Sequence, residues 1–190
     1  MKKIRVGYAL CGSFCTFEQS INVMRKLVAD GYDVIPIMSF NAYFINTRFG
    51  EAEKFIEEIE TICLKSIIHT IEGAEPIGPN KSCDILVISP CTGNTLAKLA
   101  NSITDTPVTM AVKSQIRNSR PVLIAVSTND ALSGNSKNIG TLLNIRNYYF
   151  VPFCQDNPLI KPTSLISDFE QIPNAIKAAL NNEQLQPIFT

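Results

Sequence analysis

Hydrophobic positions along this 190-residue chain alternate between short continuous runs and spaced, one-sided patterns. Ile4 to Leu10 is apolar and ends at Gly12-Ser13, which predicts a first strand. Phe17, Ile21, Met24, Leu27 and Val28 then recur at helical spacing, and Gly31 supplies the stop. Val34 to Met38 reads as a second strand, and Pro36 confines it to an edge or a bulge. Ala52, Phe55, Ile56, Ile59 and Ile62 mark an amphipathic helix. Ile85 to Ile88 is a buried strand, and Leu96, Leu99, Ala100 and Ile103 follow it as a helical stretch. Pro121 to Val126 predicts a fourth strand and Tyr148 to Val151 a fifth. Phe169, Ile172, Ile176 and Leu180 form a closing helix. Residues 152–167, with three prolines, read as an irregular loop or arm.

Strands alternating with helices predict parallel strands joined by right-handed crossovers, with helices on both faces of the sheet. The expected class is therefore a single α/β domain over residues 1–190, a Rossmann-like, doubly wound, three-layer sheet. Ligands of such sheets bind outside the carboxyl ends of the strands. Those ends carry C-G-S-F-C-T, S-F-N-A, S-P-C-T-G-N-T and S-T-N-D-A-L-S-G-N, all rich in small hydroxyl and amide residues. Such groups beside helix N-termini suit a phosphate or a neutral heterocycle, and none completes a Ser/His/Asp set. Gly12 and Ser13, and Ser39 with Asn41, are the phosphate candidates, Ser13 doubling as a helix cap. Neither G-x-G-x-x-G nor G-K-[ST] is present.

Charge and cysteine content narrow the function classes. Lys+Arg and Asp+Glu stand at 17 each, so no net field draws the chain to nucleic acid or an anionic membrane. No apolar run approaches a membrane span, and the N-terminal segment reads as a strand rather than a signal peptide, which predicts a cytoplasmic protein. Six cysteines without a Cys-x-x-Cys pair, and His69 as the one histidine, predict no metal site and thiols packed as small hydrophobes.

The segment P-C-T-G-N-T-L-A-K-L-A-N-S-I-T-D, residues 90–105, resembles the flavoprotein family of FMN-dependent cysteine decarboxylases. In that family a P-A-S-A-N-T or P-A-T-A-N-T loop holds FMN. Pro90, Asn94, Thr95, Lys98, Ala100, Asn101 and Asp105 match, with Cys91 and Gly93 in place of alanines. N-T-R-F-G-E (46–51), A-E-P-I-G-P (74–79), R-N-S-R-P-V (117–122), S-T-N-D-A-L (127–132) and Q-L-Q-P-I (184–188) are similar to the branch that holds the dipicolinate synthase B subunits.

The resemblance implies a flavodoxin-like fold and FMN held by Gly12, Ser13, Ser39, Asn41, Pro90, Cys91, Thr92, Gly93, Asn94, Thr95 and Lys98. It also implies oxidation of a dihydrodipicolinate-type small molecule during spore formation. The implied partner is the A subunit of dipicolinate synthase, which carries NADP or NAD, together with further copies of the chain itself. Asn129 falls where the decarboxylases keep the asparagine of a P-x-M-N motif, whose methionine is absent here. A-E-P-I-G-P occupies the region of the decarboxylase histidine, and these two losses argue against cysteine decarboxylation. Arg48 and Arg117, with Lys113, are candidates for a substrate's carboxylates, because a guanidinium pairs bidentately with carboxylate. His69 reads as structural and Cys91 as a filler of alanine-sized space. Two readings stand: a component of an FMN enzyme, or a structural and regulatory partner that keeps only an anion site.

Overall fold

Period-two alternation in the first strand divides its side chains between two cores. In the computed structural model, which describes residues 3–190, β1 (Arg5–Leu10) sends Val6, Tyr8 and Leu10 to one core and Ala9 to the other. Helix α1 (Phe17–Ala29) covers the first core with Phe17, Ile21, Met24 and Leu27, all essentially buried. Each such side chain contributes about 1.5–3 kcal/mol relative to exposure. Gly31, at φ +89°, adopts the left-handed turn that ends this crossover. Next come β2 (Asp33–Met38), the short α2 (Phe40–Phe44), α3 (Ala52–Cys63) and the single turn α4 (Ile71–Ala74). Among the strands, β2 pairs with β1 alone, and its other side meets only an isolated bridge to Ile68. There Pro36 accepts the Ile68 amide at 2.9 Å, so its missing donor is not called upon.

Strand β3 (Ile85–Cys91) is buried at every position, as a central parallel strand covered on both faces must be. It runs three residues beyond the expected end at Ile88 and includes Ser89, Pro90 and Cys91, with a register shift against its neighbour between Ile88 and Cys91. Helix α5 (Gly93–Ala100) starts after a single residue, Thr92. Helix α6 (Pro107–Ile116) opens with a capping box between Thr106 and Thr109. Then follow β4 (Val122–Thr128), α7 (Ser136–Leu143) and β5 (Tyr148–Phe150). Helices α1, α3 and α8 (Ile172–Leu180) supply one core, and α5, α6 and α7 the other, giving the expected three-layer α/β domain.

The sheet is mixed rather than wholly parallel. Residues 153–167 form an antiparallel hairpin, β6 (Phe153–Asn157) and β7 (Lys161–Ser167), where the prolines predict an irregular arm. Pro158 lies in the turn, and Pro162 sits beside the register shift between Gln155 and Asn157, where a missing donor is tolerated. The seven-stranded order is β2-β1-β3-β4-β7-β6, with β5 also paired to β4. Strand β5 takes Val122 to Ile124 of β4, while β7 takes Ser127 and Thr128. The hairpin therefore joins the sheet at the carboxyl end of β4, where a ligand of this fold would lie.

No helix among the described residues is long and apolar enough to cross a membrane. The amino-terminal end of the sheet carries an ion pair, Arg5 Nη2 to Asp84 Oδ1 at 2.7 Å, which holds the Asp84 carboxyl below its usual range.

Candidate functional site

Strand order reverses between β1 and β3, which opens a crevice at their carboxyl ends. Two adjoining cavities occupy it, of about 550 Å3 and 400 Å3, and Gly12 and Thr92 line both. The smaller holds Ser39, Asn41, Asn94, Thr95, Lys98 and Thr106. The larger holds Ser13, Ser127, Asn129, Ser164, Arg48 and Lys161. The phosphate candidates are thus shared between two chambers: Ser39 and Asn41 in one, Ser13 in the other, with Gly12 between them. A Cβ at position 12 would lie 3.5 Å from the Phe14 ring and 3.6 Å from Asn41 Cβ, narrowing that passage.

Local bonding explains how each group is held. Ser39 caps α2 by accepting the Ala42 amide at 3.3 Å. Thr92 caps α5 by accepting the Thr95 amide at 3.4 Å, so its hydroxyl is committed to the helix start. Thr95 donates its own hydroxyl to Cys11 Sγ at 3.2 Å. Ser13 departs from expectation: its hydroxyl makes no cap and instead meets Ser127 Oγ at 2.9 Å, tying the ends of β1 and β4 together. Lys98 reaches Asp105 at 2.9 and 3.0 Å.

Three residues of the loop expected to hold a flavin lie behind the crevice rather than on it. Pro90, Cys91 and Gly93 are buried and line neither cavity, because β3 continues through Cys91. Cys91 is wholly enclosed in the second core, and burial pushes its thiol well above the ordinary value, whereas a place at a helix N-terminus would lower it. Cys11 is likewise pushed up to about 11 by burial. Gly93 is there for close approach. An added Cβ would lie 2.4 Å from both Asp130 Oδ1 and Asn135 Nδ2, and 2.9 Å from Thr128 Oγ1. Those atoms already form a network, with Thr128 Oγ1 donating to Asp130 Oδ1 and Asn135 Nδ2 to Asp130 Oδ2, each at 2.7 Å. The start of α5 and the loop after β4 are packed as one unit.

Asn129 and Arg48 both line the larger cavity. The hairpin fixes Asn129: Thr163 Oγ1 donates to its carbonyl at 2.6 Å, and Ser164 Oγ stands 3.5 Å from its Oδ1. Arg48 lies over the Phe49 ring at 4.9 Å. Arg117 and Lys113 are not brought to the site. They follow α6 away from the strand ends and line a separate groove with Ile103, Ile116 and Tyr148. His69 also stands apart, stacked on Tyr43 at 3.9 Å, and no imidazole lines the crevice.

Sequence reasoning missed Ser164, Asp156 and Lys161, and included Ser127 only within the S-T-N-D-A-L-S-G-N strand end. Ser127 lies within β4, which runs to Thr128, two residues beyond the expected end at Val126. The others belong to the hairpin, for which the β-prone run T-S-L-I-S was the available signal.

The donor set suits a flavin phosphate and a planar heterocycle. Hydroxyls, amides, the ammonium groups of Lys98 and Lys161 and the Arg48 guanidinium converge on two joined chambers that lie within the size range of cofactor sites.

The Flavoprotein family profile matches residues 1–181. The chain is 44% identical over 188 residues to the dipicolinate synthase B subunit of Bacillus subtilis (strain 168), covering 99% of this chain and 94% of that one. A crystal structure of the dipicolinate synthase B subunit from Bacillus halodurans superposes with a TM-score of 0.91 at 41% identity, covering 100% of this chain and 98% of the other. The FMN-dependent cysteine decarboxylase SpaF shares the fold at a TM-score of 0.66 and 22% identity, over 94% and 95% of the two chains. The chain belongs to the Flavoprotein family, in the branch that holds the dipicolinate synthase B subunits.

Proposed function

We infer that this chain binds FMN in the β1/β3 crevice and serves as the B subunit of a dipicolinate-forming oxidoreductase. The observation that carries the reading is the convergence of small polar side chains from four strand ends on two joined chambers. Ser39, Asn41, Asn94, Thr95 and Lys98 would hold the cofactor on one side of Gly12 and Thr92, with Ser13 on the other. When bound, FMN supplies a two-electron acceptor. The chain's own groups do the positioning: Asn129, held by Thr163, and Arg48 orient a carboxylate-bearing ring.

The partner is the nicotinamide-binding A subunit, and the substrate a dihydrodipicolinate-type ring, in the cytoplasm of the mother cell of a sporulating bacterium. Phe44, at 65% exposed, with Phe40, Ile45 and Phe49 nearby, supports association with further chains.

Fluorescence titration of the purified chain with FMN, followed by turnover assays with and without the A subunit, tests this. Quenched flavin emission and turnover that needs both proteins are the expected results. No FMN binding, with full turnover by the isolated A subunit, overturns the reading. It would favour a structural partner, an alternative supported by the lack of an imidazole in the crevice.

A further inference from the structure

Two cations from unrelated elements line the larger chamber. Arg48 comes from the segment before α3, and Lys161 opens β7. Among the described residues Arg48 makes no ion pair, and its guanidinium rests on the Phe49 ring at 4.9 Å. Lys161 Nζ pairs with Asp156 Oδ2 across the hairpin at 2.6 Å. Asp156 is the one carboxylate lining this chamber, so its two cations face a single internal counter-charge. The other polar lining is hydroxyl and amide, including Ser164 and Asn129, while Phe14 and Phe49 add aromatic surface.

A chamber of about 550 Å3 accepts a single six-membered ring with substituents. Lys161 is not used up by Asp156, because an ammonium has three donors and can keep Asp156 while donating to a ligand. Arg48 offers a planar fork matched to a carboxylate. Two cationic anchors lining one chamber match a ring with two carboxylates.

We propose that Arg48 and Lys161 are paired anchors for the two carboxylates of a planar six-membered-ring dicarboxylate, with Asp156 holding Lys161 in position. The assignment rests on the functional reading above for the identity of the site, and adds a specificity residue from the hairpin.

Calorimetric titration of the full chain with pyridine-2,6-dicarboxylate and pyridine-2-carboxylate, with and without FMN, provides the test. The wild type should bind the dicarboxylate about tenfold more tightly, as expected for one further charged contact. Lys161→Gln should abolish that difference by weakening only the dicarboxylate. Lys161→Arg should restore it, which a loss of folding could not mimic. Arg48→Gln should weaken both acids. Unchanged discrimination in Lys161→Gln, or failure of the wild type to prefer the dicarboxylate in either state, overturns the proposal. A chain that discriminates between the acids yet binds no FMN keeps this inference and loses the flavin reading. One that binds FMN without discriminating loses this inference alone.

Discussion

The junction between β3 and α5 and the β6–β7 hairpin both line the crevice, yet they are built differently. At the junction, Pro90, Cys91 and Gly93 are buried and only Thr92, Asn94, Thr95 and Lys98 reach the cavities. Its small residues serve packing: Gly93 leaves room for the Thr128–Asp130–Asn135 network. The hairpin is solvated. Leu159 and Ile160 at its turn are 95% and 77% exposed, and its Lys161–Asp156 pair lies in water-accessible space. A recognisable motif can therefore be partly scaffold, while a surface ribbon without any motif supplies side chains that line the cavity. Perturbing the junction should cost stability, and perturbing the hairpin should cost specificity.

The largest expected effect on the buried side is alkaline destabilisation. Burial raises the thiols of Cys11 and Cys63 to about 11 and that of Cys83 to about 12. Their folded values exceed the unfolded ones, so the stability they contribute is complete below about pH 8.5 and is lost as pH rises toward the folded values. Between about pH 9 and about pH 11 the unfolded chain releases protons that the native chain retains. Each thiol then removes up to about 1.4 kcal/mol per pH unit. Urea unfolding should show a loss of a few kcal/mol over that interval. A flat profile would mean that these thiols are open to solvent in the native state.

Gly93→Ala comes next, at about 2 kcal/mol by urea denaturation, because the new methyl must displace Asp130 or Asn135 from a bonded network. The same substitution in an Asp130→Ala background should cost less. The difference between the two measures how strongly the α5 start and the β4 loop are coupled. Equal costs would break the claim that they pack as one unit.

Lys98→Met should be milder, at about 0.5 kcal/mol, since its partner Asp105 is 56% exposed and solvent weakens the pair. Its larger consequence should be weaker FMN binding, read from the same fluorescence titration. On the hairpin, Lys161→Gln should move the melting temperature by less than about 2 °C, within the range of surface substitutions. A larger shift would make the hairpin a stability element and erase the contrast with the junction.

Much of this architecture was legible in the residues themselves. The strands β1 to β4 are apolar and bounded by Gly, Ser or Pro, and α1, α3 and α8 are amphipathic enough to be read from spacing. Local pattern failed where two signals conflicted. Prolines at 152, 158 and 162 outweighed the β-prone T-S-L-I-S run, because a proline's cost depends on whether its missing donor faces a neighbour or a bulge. It failed again at Arg117, whose neighbours on α6 carry it away from the strand ends.

The sequence by itself determined the alternation of elements, hence the three layers, and placed the polar residues at strand ends, since hydrophobic period and turn chemistry are local properties. Tertiary structure alone decided which strand ends adjoin and where β7 docks. It also decided that Ser13 bonds Ser127 rather than a helix, and that Lys161 shares a chamber with Arg48. Those outcomes depend on contacts between residues far apart in the chain, 114 positions in the case of Ser13 and Ser127, which no local pattern encodes.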